Sequence, residues 1–259
     1  MRPGRATRIV GPWLGAVGLV LGWEALVRAG VLPARLMAAP SDVLAAAVRE
    51  TLHGQLVTHL GVSALRAFGG LAIGTILGVV LGVATGLSRT LQLILDGPIQ
   101  MLRAVPPLAL VPLVILWFGL GETAKIFLVV VSVIFPVYLN TFHGVRSVDP
   151  QLIEMARVYE VRGLTLYREI VLPGALPSIL VGFRYALGLC WLVLIIAETI
   201  GARQGLGYLA MTARDFMQMD VLLVTIVLWA VLGKLADVFA RGLERLLLPW
   251  QPAAQRLGV

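Results

Sequence analysis

Long apolar runs separated by short polar ones set the plan of this chain. Six stretches, at approximately 9–28, 62–87, 101–119, 123–143, 176–200 and 221–243, approach the ~20 mostly apolar residues that a helix needs to cross ~30 Å of hydrocarbon. The pattern predicts an all-α, polytopic membrane protein. Between the fourth and fifth runs lies a polar segment of different character, residues 148–177. Read as a helix, residues 151–160 place Leu152, Met155, Ala156 and Tyr159 at i, i+3, i+4 and i+7 on one apolar stripe. Glu154, Arg157 and Glu160 line another face. A solvated loop keeps such a stripe only where something covers it, and two covers are open: the groove of a partner protein or the bilayer surface.

Other departures from plain apolarity mark the remaining runs. In the external segment 32–59, Pro40, Ser41 and Asp42 form a helix start, and Val43, Leu44, Ala47 and Leu52 suggest a helix lying along the membrane face. The second run carries Gly70, Gly74, Gly78, Gly82 and Gly86, each four residues after the last. Each glycine costs about 1 kcal/mol in a helix interior, so the ridge needs a return, either close approach of a second helix or a pore. The third run begins with Arg103 and holds Pro106, Pro107 and Pro112, which free several backbone carbonyls. Broken helices at membrane depth are tolerated only against protein or a water-filled cavity, which favours a translocation path. The fifth run holds Arg184 and Glu198, about 21 Å apart along one helix and near the same face. Ionisable groups in a span usually face a bundle interior or an aqueous cavity, although both residues lie near enough to an interface to snorkel. Lys234 and Asp237, at i and i+3 in the last run, are spaced to neutralise one another.

Composition agrees with this picture: 59% of the 259 residues are hydrophobic and 14% charged, and the mean hydropathy is +0.91. The formal charge of +7 does not point to nucleic acid, because the arginines are scattered between apolar runs. Their sides fix the orientation instead. With the N-terminus inside, Arg2, Arg5, Arg8, Arg89, Arg103, Arg146, Arg157, Arg162, Arg168, Arg241, Arg245 and Arg256 are cytoplasmic. Arg28, Arg35, Arg49, Lys125, Arg203 and Arg214 are external, and Arg66, Arg184 and Lys234 lie within or beside spans. The bias places both termini and the 148–177 loop in the cytoplasm. Arg2, Arg5 and Arg8 before the first run read as an uncleaved signal anchor. Residues 1–58 are then an anchor and external segment, 59–249 a core, and 250–259 a cytoplasmic tail.

The chemistry of an enzyme is missing. Cys190 is the one cysteine, His53, His59 and His143 fall on opposite sides of the membrane, and neither a His-Glu-x-x-His nor a Gly-x-Ser-x-Gly motif occurs. There is no Gly-x4-Gly-Lys-Ser/Thr loop either, so ATP-driven transport would need a second subunit.

At the cytoplasmic loop the chain resembles the permease of binding-protein-dependent ABC importers, whose hallmark is Glu-Ala-Ala-x3-Gly-x9-Ile-x-Leu-Pro. Here Glu154-Met155-Ala156 is followed by Ile170-Val171-Leu172-Pro173 at the expected distance, with Glu160 at the glycine position and Gly163 three residues on to supply the break. Further matching stretches are Met101-Leu-Arg-Ala-Val-Pro-Pro, Trp117-Phe-Gly, Asn140-Thr-Phe-His-Gly, Leu172-Pro-Gly-Ala-Leu-Pro-Ser and Ala197-Glu-Thr-Ile, which resemble the branch for aliphatic sulfonates, with taurine, nitrate and bicarbonate systems near it. The resemblance implies a type I importer permease in the bacterial inner membrane, working as a homodimer on two cytoplasmic ATPase subunits and fed by an external substrate-binding protein. ATP and magnesium would bind the ATPase, and this chain no cofactor or metal. Leu152, Glu154, Met155, Ala156, Arg157, Tyr159, Gly163, Ile170, Leu172 and Pro173 would form the ATPase-coupling loop. Arg103, Pro106, Pro107, Arg184 and Glu198 are the candidates for the translocation path. A secondary transporter working without ATP is the alternative that the broken third run and the charged fifth run leave open.

Overall fold

A computed structural model describes residues 5–33 and 36–250, with side chains from residue 14 onward. The side chains of Arg2, Arg5, Arg8, Arg35 and Arg256, and the tail from 251, lie outside the described residues. Every described regular element is helical: α1 (Arg5–Arg28), α2 (Pro40–Leu52), α3 (Gln55–Leu87), α4 (Arg89–Ala104), α5 (Val111–Phe118), α6 (Glu122–Arg146), α7 (Pro150–Val158), α8 (Gly163–Leu166), α9 (Leu172–Thr199), α10 (Leu206–Asp215) and α11 (Met219–Leu247). Four runs are long and apolar enough to span a bilayer: α3, α6, α8 continued through a π turn (Tyr167–Val171) into α9, and α11. α1 carries the first apolar run, and its 24 residues measure about 36 Å.

The third expected span is not a single helix. α4 stops at Ala104, and the next segment, a 3-10 turn (Pro107–Leu110) leading into α5, leaves at 86°. Pro106 has no N–H to continue α4, and its ring pushes Val105 into an extended conformation with ψ 118°. Pro107 and Pro112 then stand in first turns, where a missing N–H is no loss. The expected freeing of several carbonyls therefore reduces to one break. Pro107–Phe118 rises only about 20 Å, too little to span the bilayer by itself, so the third run is a broken span.

The glycine ridge is a packing surface. A Cβ on Gly70, Gly74, Gly78 or Gly82 would lie 2.6–2.8 Å from Val129, Val133, Val137 or Thr141, respectively, and one on Gly86 would meet Val145 at 2.8 Å. Every partner stands 59 positions after its glycine, so α3 and α6 run parallel in constant register. On the other side of α6, Gly182 of α9 lies against Pro136 and Asn140, while Gly144 lies against Ala175 and Ser178. The numbers now run oppositely, so α9 is antiparallel to α6. Both directions agree with the alternation that the arginine bias requires. Ala67, Leu71, Val129, Val133, Val137, Ala186, Leu187 and Leu194 fill the resulting three-helix core.

The external segment folds back over this core. Val43 and Ala46 of α2 are buried against Leu209 and Ala213 of α10 and Val221 and Val224 of α11. Leu44 and Leu52, read with Val43 and Ala47 as a helix lying along the membrane face, are exposed. α2 has no cap from Ala39; instead Glu24 of α1 accepts from the Ser41 amide (3.0 Å) and hydroxyl (2.7 Å). Glu24 therefore caps the next helix from outside it.

Candidate functional site

Three places in this frame bear on function, and the cytoplasmic loop is the first. Asp149 caps α7 by accepting from the Gln151 amide at 2.8 Å, and Pro150 follows at the first helical position. α7 has two apolar faces. Ile153 and Ala156 turn inward, Ile153 against the cluster of Val145, Val148, Val171, Ala175 and Ile179. Leu152, Met155, Val158 and Tyr159 turn to solvent, the last two 80% and 76% exposed. Ala156 was expected on the exposed stripe and is instead buried. Val158, missed in the sequence, takes its place. Glu154, Arg157, Gly163 and Leu172 are exposed, and Ile170 and Pro173 are half-buried where the loop rejoins α9.

The end of α7 accounts for the family glycine. The Val161 amide donates to the Ala156 carbonyl (2.9 Å) and the Glu160 amide to the Arg157 carbonyl (3.1 Å), the two bonds of a Schellman stop. That stop needs a left-handed residue after the cap, and Glu160 adopts it with φ +62°. Gly163, expected from the sequence to take over the break, does not; it makes a second left-handed turn with φ +59°.

The second place is a cavity of about 340 Å³ where α4, α6 and α9 meet below the proline break. Arg103 and Pro107, both candidates for the path, line it together with Ser132, Asn140 and Tyr185, whose part the sequence did not reveal. Pro106 is exposed at the bend. Arg184 lies elsewhere, half-exposed, with its guanidinium 2.6 Å from Asp237 of α11. Asp237 also takes Arg241 at 2.7 Å, so its partners are two arginines and not the expected Lys234.

Glu198 belongs to the third place. The structure does not pair it with Arg184, which points to another helix. Its carboxylate, 1% exposed, accepts from the Ser63 hydroxyl (2.8 Å), the Arg66 guanidinium (2.7 Å) and the Gly207 amide (2.9 Å). Arg66 further donates to Glu122 (2.5 and 2.6 Å) and to the Gln204 carbonyl (2.7 Å). The network joins α3, α6 and α9 to the turn before α10, at the end of the bundle that the charge bias makes external. Gly205, with φ +122°, and Gly207 must lack side chains here, since a Cβ on either would collide with Glu198.

Comparison with known proteins adds family to geometry. The model of the family described as binding-protein-dependent transport system inner membrane component matches residues 70–248. The SsuC permease protein of Escherichia coli strain K12, named for aliphatic sulfonates transport, is 55% identical over 94% of this chain and 93% of its own. Its Bacillus subtilis strain 168 namesake is 42% identical over 88% of this chain and 83% of its own. The taurine transport system permease protein TauC of Escherichia coli is 37% identical over 76% and 72%. Among solved structures, the MetNI methionine ABC transporter, in inward-facing conformations, superposes with a TM-score of 0.65 at 18% identity, covering 76% of this chain and 98% of that one.

Proposed function

Because the chain belongs to the family of binding-protein-dependent transport system inner membrane components, we propose that it is the permease through which an ATP-driven importer admits aliphatic sulfonates. The 55% identity to a permease named for that substrate class, sustained over 94% of the chain, carries the reading. The chain is a multi-pass transport subunit of the inner membrane and not an enzyme; ATP is hydrolysed on a separate subunit.

Two copies of the chain would stand on two cytoplasmic ATPase subunits, with ATP and magnesium held there, and an external binding protein would deliver the anion. The outward face of α7 supports the coupling role. Leu152, Met155, Val158 and Tyr159 form an apolar surface on a water-exposed loop, of the form that docks an amphipathic helix into a groove. The inward face, Ile153 and Ala156, ties the same helix to α6 and α9. Movement of the docked helix is thereby conveyed to two spans, and ATP drives the exchange of access only by binding the two states unequally.

Growth of a deletion strain tests the substrate. It should fail on alkanesulfonates as sole sulfur source, grow on sulfate, and recover when the gene is returned. Normal growth on every alkanesulfonate overturns the assignment, and a defect confined to taurine, nitrate or bicarbonate moves the chain to that substrate.

A further inference from the structure

An alkanesulfonate is the anion of a strong acid, so it cannot shed its charge by taking a proton on the way across. At membrane depth such an anion needs a cationic hydrogen-bond donor. The cations of the bundle are mostly committed elsewhere. Arg66 is bound between Glu122 and Glu198, Arg184 is held by Asp237, and Lys125 donates to the carbonyls of Leu120 and Gly121. Lys234 lies on α11, which contributes nothing to the cavity between α4, α6 and α9. Arg103 faces that cavity and has no carboxylate within ion-pair distance among the described residues.

The cavity suits the whole ligand as well as its charge. No acidic residue lines it. Arg103, Asn140 and Tyr185 bring polar groups, and the Tyr185 hydroxyl makes no hydrogen bond among the described residues, while one N–H of the Asn140 amide remains after the other donates to the Pro136 carbonyl at 2.8 Å. Phe135, Leu139 and Leu189 supply an apolar wall. Ser132 and Asn140 lie about 15 and 27 Å along α6 from its external end, which puts the cavity in the middle and inner part of the bilayer. Its volume of about 340 Å³ is at the small end of ligand pockets, which start near ~300 Å³.

We propose that this cavity is a sulfonate subsite within the membrane, in which Arg103 takes the sulfonate, Tyr185 and Asn140 add hydrogen bonds, and Phe135, Leu139 and Leu189 receive the alkyl chain. The proposal rests on the sulfonate reading of the chain but makes a separate claim, that the permease itself, and not only a binding protein, contacts the anion.

The test is uptake of labelled alkanesulfonates by vesicles holding the complete importer with its binding protein. Arg103→Gln should lower uptake at least about tenfold, the loss expected for a charge-assisted hydrogen bond removed from a low-dielectric site. Arg103→Lys, which keeps the charge, should recover part of it, and Tyr185→Phe should give a smaller loss. Leu139→Trp should depress octanesulfonate far more than ethanesulfonate, an effect that a merely structural defect would not produce. A wild-type importer that carries no alkanesulfonate sinks the substrate reading. Wild-type uptake in Arg103→Gln, or an unchanged chain-length ratio in Leu139→Trp, overturns the subsite while leaving that reading intact.

Discussion

Replacing Glu198 by Ala tests the external network most directly. The substitution removes a carboxylate that is 1% exposed and accepts hydrogen bonds from three residues of two segments, Ser63 and Arg66 of α3 and Gly207 at the start of α10. Breaking a buried ion pair by deleting one partner costs about 3–5 kcal/mol, because the surviving charge stays desolvated. Here the surviving charge, Arg66, keeps Glu122 and the Gln204 carbonyl, so the lower end, about 3 kcal/mol, is expected. Glu122→Ala removes a partner whose side chain is 60% exposed and should cost about 1 kcal/mol or less. The two variants take the same charge from the same arginine, and differ in whether water reaches the site. Unfolding in mixed micelles titrated with denaturing detergent, followed by loss of helical circular dichroism, compares them. A double-mutant cycle with Arg66→Met then isolates the pair, and the double variant should be markedly more stable than the sum of the single losses predicts. Equal losses for Glu198→Ala and Glu122→Ala, or zero coupling in the cycle, would refute the assignment of a buried pair.

Further outcomes follow from the packing and the loop. Gly74→Ala, whose Cβ would come to 2.7 Å from Val133 and 2.9 Å from the Val130 carbonyl, should destabilise the bundle by about 1–3 kcal/mol in the same assay. Gly69→Ala, one helix face away with open space around it, should be neutral or stabilising by up to about 1 kcal/mol. Glu160→Gly should relieve about 1 kcal/mol of left-handed strain and slow proteolysis of the 150–163 loop without loss of transport; faster cleavage would contradict the Schellman stop. Met155→Asp should leave the permease folded but fail to retain the ATPase on purification, since it places a charge on the exposed face of α7. Ala156→Arg should instead disturb the loop itself, visible as protease sensitivity before any partner is added, because Ala156 faces inward.

The face of α7 shows what periodicity cannot decide. Nine residues of helix with apolar groups at 152, 153, 155, 156 and 158 have two candidate stripes, and spacing alone fits both. Which stripe the chain itself covers depends on Val145, Val171 and Ala175, residues of two other helices. Likewise, the proline run announced a break in the third span, but the 86° angle comes from where each proline stands within its turn. Glu160, by contrast, was legible as an anomaly from a single motif, because the stop it occupies is local to the chain.

The external network is the instructive case, since the sequence held more of it than pattern reading along single spans extracts. Arg184 and Glu198 draw attention together only because both lie in one apolar run. The glycine ridge already contained the better answer. A four-residue spacing of glycines on α3 and the matching Val129, Val133, Val137, Thr141 and Val145 on α6 fix a parallel register. Carried one turn outward from Gly70, that register sets Arg66 beside Lys125 and Glu122, and the antiparallel contact of α6 with α9 brings the outer end of α9 to the same level. Glu198 is the acidic residue there. In a bundle whose helices touch through glycine, interaxial distance is too small for the register to slip, so one ridge determines which polar groups meet beyond its end. The ion network is thus a consequence of the ladder, and the span that looked like simple packing is what places the buried charges together.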